Sequence, residues 1–132
     1  MDRTGPITWS ILYRPQGLYH FFTFAKGASM VKESKFQRDL IKKIQRYVPG
    51  SIVLKNDPNY LQGIPDLIVL HGDMWAMLEV KASRYAKVQP NQEYYVNTLT
   101  RMGFARFIYP ENETDILREL VNYFGFDDAS VH

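Results

Sequence analysis

Cysteine is absent from all 132 residues. That excludes disulfides, thiolate metal sites and cysteine nucleophiles. Histidine is almost as scarce: His20, His71 and His132 stand far apart and give no HExxH-like spacing. No apolar run reaches the roughly 18–20 residues that a membrane helix needs, so a span is not expected. The N-terminus has no basic stretch followed by an apolar core, so no signal peptide is read and the cytoplasm is the expected compartment. Net charge is low at +2, but it is unevenly spread. Residues 26–55 hold eight Lys or Arg against two acids, and residues 111–132 hold six acids against one Arg. Such polarity suits a chain with one face toward a polyanion, and it also suits a solvated helix face.

With 45% hydrophobic and 23% charged residues the composition is ordinary for a folded domain. The length fits one core. Residues 7–13 (ITWSILY) and 18–26 (LYHFFTFAK) read as strands around the turn Arg14-Pro15-Gln16-Gly17. That divides the chain into an aromatic N-terminal hairpin extension, 1–29, and a domain over 30–132. The hairpin offers a packing element, a base-stacking platform or a homodimer surface.

A helix is predicted over 32–48, where Phe36, Leu40, Ile41, Ile44 and Val48 form one stripe. Strands follow at 51–56, 66–70 and 74–81, the last two almost without polar interruption, as in strands buried on both faces. A helix over 91–102 places Tyr95, Val96, Leu99 and Met102 inward, with Gly103 as its cap. Strand 104–109 and helix 113–124 complete the order. The αβββαβ run predicts an α/β fold, with a mixed central sheet flanked by helices.

The chemistry is concentrated at Gly63-Ile64-Pro65-Asp66 and Glu79-Val80-Lys81. Gly72-Asp73 reads as a two-residue hairpin turn between them. A hairpin centred there sets Asp66 opposite Glu79, on one face, with Lys81 two residues further along that face. Two facing carboxylates repel, so they call for a hard cation such as Mg²⁺ or for Lys81 as partner. An Asp–Lys–Glu ion cluster at the sheet edge is the purely structural alternative. Glu33 heads the apolar stripe of the first helix, and Gln92 heads that of the second. Each is a site candidate or simply a first-turn polar residue.

Taken together, Pro65-Asp66, Glu79-x-Lys81, the helix bearing Glu33 and the helix bearing Gln92 resemble the PD-(D/E)XK nuclease superfamily. Within it they are most similar to VRR-NUC domains and archaeal-type Holliday junction resolvases, over about residues 30–109. The resemblance implies a Mg²⁺- or Mn²⁺-dependent DNA endonuclease of the restriction-endonuclease-like fold, with no small-molecule cofactor. Asp66, Glu79 and the Val80 carbonyl would hold the metal, with Glu33 completing the shell directly or through water. Lys81 would position or activate the attacking water, and Gln92 would steady the site. DNA is then the expected partner, in branched or flapped form, with Lys35, Arg38, Lys42, Lys43, Lys55, Arg84 and Lys87 as phosphate contacts. The rival reading is a non-catalytic nucleic-acid-binding module that keeps the nuclease fold.

Overall fold

A computed structural model describes residues 16–132, with side chains from Met30 onward. The described part is α/β. Helix α1 (Gln16–Tyr47) is followed by strands β1 (Ile52–Lys55), β2 (Leu67–His71) and β3 (Met74–Val80). Then come helix α2 (Pro90–Met102), strand β4 (Phe104–Ile108), a short 3-10 turn (Pro110–Asn112) and helix α3 (Glu113–Tyr123). The four strands lie in sequence order in one mixed sheet. Strands β1, β2 and β3 are antiparallel, and β4 runs parallel to β3 after crossing through α2.

The predicted β2–β3 turn is present. Gly72 has φ 61, and no described non-glycine residue has positive φ, so Gly72 leads and Asp73 follows as a type II′ turn requires. The turn fixes the register, from His71↔Met74 at the tip to Leu67↔Leu78 at the far end. Alternation then separates the sheet into two faces. Leu67, Val69, Ala76, Leu78, Val80 and Ile108 lie on one of them, fully buried. They form a single core with Leu40 and Ile44 of α1, with Val48 just after it, and with Ile116, Leu117, Leu120 and Val121 of α3. Ala105 and Val96 are buried outside that cluster, as expected if α2 covers the other face. Among the described residues that second face is sparsely covered over β1 and β2, where Ile52, Leu54 and Leu70 are exposed.

The N-terminal expectation is corrected in part. Strand 7–13 lies outside the described residues. Residues 18–26 do not form a strand: α1 begins at Gln16 and runs unbroken through them. Aromatic content signals a strand only where a pleated, half-buried surface exists to receive it. Here the helical segment that follows extends backward instead. A strand edge for dimer pairing is therefore not offered by 18–26. Met102 is also corrected, being 68% exposed at the end of α2 rather than inward.

Two glycines are dictated by close approach. Gly103 has an extended φ of −170, so it does not serve as a left-handed cap, although its N–H does bond to Leu99 O. Its role is space, because a Cβ there would meet the Trp75 indole at 2.9 Å. Gly63 combines φ 94 with an approach to Asn91, whose backbone carbon a Cβ would meet at 2.9 Å. The loop before Asp66 is thereby pressed onto the start of α2. Gly63→Ala is expected to cost about 1–3 kcal/mol through strain and overpacking. Urea denaturation checks this, and an unchanged midpoint would mean the loop does not depend on that contact.

Candidate active site

The site is built at the end of β3, where three strand ends meet a helix start. Glu79 and Lys81 are buried, at 3% and 8% exposure, among otherwise apolar sheet residues. Both project from the face on which α2 lies. Buried ions need partners, and α2 supplies one through its first turn. Gln92 Nε2 donates to Glu79 Oε2 at 3.0 Å, while Gln92 Oε1 accepts from Lys81 Nζ at 2.7 Å. The same Oε1 accepts from Gln89 N at 3.0 Å, which fixes the amide's orientation. Lys81 Nζ also donates to Lys87 O at 2.9 Å and stands 3.8 Å from Glu79 Oε2. Gln92 thus bridges a carboxylate and an ammonium that are not themselves in tight contact.

Asp66 completes the strand end. Its Oδ2 accepts from Val80 N at 2.8 Å, and its backbone O accepts from Asn56 N at 2.8 Å. Extending the observed register by one residue puts Asp66 opposite Glu79, on the same face. The backbone of Val80 is aimed as well. Lys81 N donates to Ile108 O on β4, and the peptide bond is trans, so the Val80 carbonyl points away from β4, toward the β2 side occupied by Asp66. Two carboxylates and one carbonyl at a strand end fit what Mg²⁺ asks of a protein, the remaining ligands being water and phosphate oxygens. Among the described residues no group of three or more His, Cys, Asp or Glu side chains is gathered to hold a metal. Glu33 is half-buried on α1 and is not without a partner.

The basic residues separate into different roles. Arg38 and Lys42 are exposed on α1. Lys35 is exposed but bonded to Asp39 at 2.9 Å, and this hydrogen bond holds the Asp39 carboxyl below its usual range. Lys43 is committed to Glu113 of α3 at 3.0 Å, a packing contact between helices. Lys55 pairs with Leu67 and so lies on the face opposite Asp66. Arg84 stands 4.0 Å from Glu111, whose other oxygen accepts from Arg84 N at 3.1 Å. Lys87 is exposed, and its backbone carbonyl accepts from Lys81 Nζ. The Lys87 carbonyl, the Gln89 N–H and the Glu111 carboxylate carried no signal in the sequence, because each acts across a loop whose course no local pattern determines. If α1 contacts phosphates, Lys42→Ala should reduce the log K against log salt slope by about 0.9 on duplex DNA. Lys43→Ala should leave that slope alone and loosen α1 from α3. Equal slope changes for the two would overturn this division.

No protein-family model and no curated protein sequence matches the chain.

Proposed function

We propose that this protein is a divalent-metal-dependent DNA endonuclease of the PD-(D/E)XK type. The observation that carries the reading is the buried Glu79–Gln92–Lys81 bridge, with Asp66 and the Val80 carbonyl aimed at the same strand end. Asp66, Glu79 and the Val80 carbonyl would hold Mg²⁺ or Mn²⁺. Bound there, the metal supplies charge stabilisation at the scissile phosphate and lowers the pKa of its water. Lys81 presents a positive charge beside the carboxylates, where the transition state gains negative charge. Gln92 and the Lys87 carbonyl hold that ammonium in place, so it need not reorganise during the reaction. Arg38 and Lys42 would contact the DNA backbone and set orientation rather than sequence.

A second reading is a non-catalytic DNA-binding module of the same fold. In it the Glu79–Gln92–Lys81 bridge serves as an ion cluster that ties α2 to the sheet. Labelled linear, flapped, splayed and four-way DNAs, incubated with Mg²⁺ and with Mn²⁺, separate the two. Cleavage of at least one substrate, abolished by chelation, is the expected result. Binding without cleavage in either metal leaves the module, and neither binding nor cleavage removes both. None of the described helices is long and apolar enough to cross a membrane.

A further inference from the structure

The loop between β1 and β2 encloses, with Met77 of β3, a cleft of about 480 Å³ lined by Asn56, Asp57, Tyr60, Leu61, Ile64 and Met77. This cleft adjoins the candidate active site. Met77 precedes Glu79 by two residues on one strand, so the two share a face. Ile64 precedes Asp66 by two residues, and Asn56 N donates to Asp66 O at 2.8 Å. The cleft and the carboxylates are therefore neighbours on the same face of the sheet.

Its lining defines what fits. Among the described lining residues there is no Lys or Arg, and Asp57 contributes a carboxylate, so a phosphate is disfavoured. Leu61, Ile64 and Met77 give apolar walls, and Tyr60 gives an aromatic ring that is 87% exposed. Asn56 Nδ2 donates to Pro65 O at 2.8 Å, which anchors the side chain at the wall. The Asn56 amide and the Asp57 carboxylate offer acceptors of the kind that exocyclic amino groups seek. Flat, uncharged and edged with donors, a nucleobase meets these requirements, and the volume lies within the range of small-ligand pockets.

We propose that this cleft takes one unpaired nucleobase of the DNA strand whose phosphate lies at Asp66 and Glu79. The proposal rests on the DNA reading above and gives it a substrate class. Extruding a paired base costs a few kcal/mol, and an already unpaired base avoids most of that cost. Strands carrying an unpaired nucleotide beside the cut, as in flaps, splayed arms and loops, are then preferred over continuous duplex.

The test uses the full chain with Ca²⁺ in place of Mg²⁺, so that binding is read without cleavage. The probes are a duplex interrupted by a short single-stranded stretch containing 2-aminopurine and the same sequence fully paired, followed by anisotropy and by 2-aminopurine fluorescence. The parent is expected to bind the interrupted DNA more tightly. Tyr60→Ala should lose about tenfold in affinity for it, the value of one stacked base, with no change on paired DNA, and Tyr60→Trp should restore binding. Tyr60 is so exposed that these changes leave the fold alone. Equal loss on both DNAs, or no loss on either, overturns the proposal. Competition by deoxyadenosine alone at the strand's own concentration also overturns it, since the cleft would then be a nucleoside site. A parent that prefers the interrupted DNA yet cuts nothing with Mg²⁺ removes the nuclease reading alone. A parent that cuts, with a Tyr60→Ala variant that treats both DNAs as the parent does, removes the cleft alone.

Discussion

Replacing Lys81 by Met is expected to destabilise the protein by about 3–5 kcal/mol, the usual cost of leaving one member of a buried ion pair behind. Glu79 is 3% exposed, and its carboxylate would lose the ammonium that stands 3.8 Å away. Changing both members, Glu79→Leu with Lys81→Met, should recover most of that loss, because two apolar side chains demand no solvation. Neither variant should cut DNA. Urea denaturation of the parent, both single variants and the double variant gives the coupling directly. If Lys81→Met unfolds at the parent's midpoint, the pair is not dehydrated in solution, and the preorganised ammonium assigned to the reaction is lost with it. If the double variant is as unstable as the singles, the charges contribute packing that Leu and Met do not replace.

The second large effect is on activity rather than stability. Asp66→Asn is expected to lower metal-dependent cleavage on the order of 10²-fold or more, while the melting temperature stays close to the parent's. The two expectations separate because the hydrogen bond to Asp66 and its proposed metal contact make different demands on the side chain. Its Oδ2 accepts the Val80 N–H at 2.8 Å, and an asparagine carbonyl oxygen in the same place accepts that hydrogen bond too. What asparagine lacks is the negative charge that a hard cation requires of its ligand. Single-turnover cleavage with a Mg²⁺ titration measures the first effect, and a thermal melt of the same sample measures the second. Full activity at all metal concentrations would leave Asp66 as a strand-end cap only. A large fall in melting temperature would instead make the hydrogen bond, and not the charge, the reason for the residue.

Much of the core and the pairing of the two motif segments were legible in the residues themselves. Gly72-Asp73 names its turn type, a two-residue turn fixes the pairing of the strands on either side, and pairing plus alternation determines which residues share a face. The stripes Leu40–Ile44–Val48 and Leu117–Leu120–Val121 announced two helices and their buried sides by spacing alone. These are properties of neighbouring residues and of backbone geometry, which operate before the chain has a shape. The tertiary structure decided the rest. It extended α1 back over residues 18–26, where aromatic residues had suggested a strand. It put Lys55 on the far face from Asp66 and tied Lys43 to Glu113, 70 positions away. It placed Gln92 between Glu79 and Lys81, and it closed a cleft between Met77 and a loop with no pattern of its own. Contacts of that kind depend on how separate elements come to lie against one another. A charged side chain carries no local mark of whether its partner will be water, phosphate or a residue from the far end of the chain.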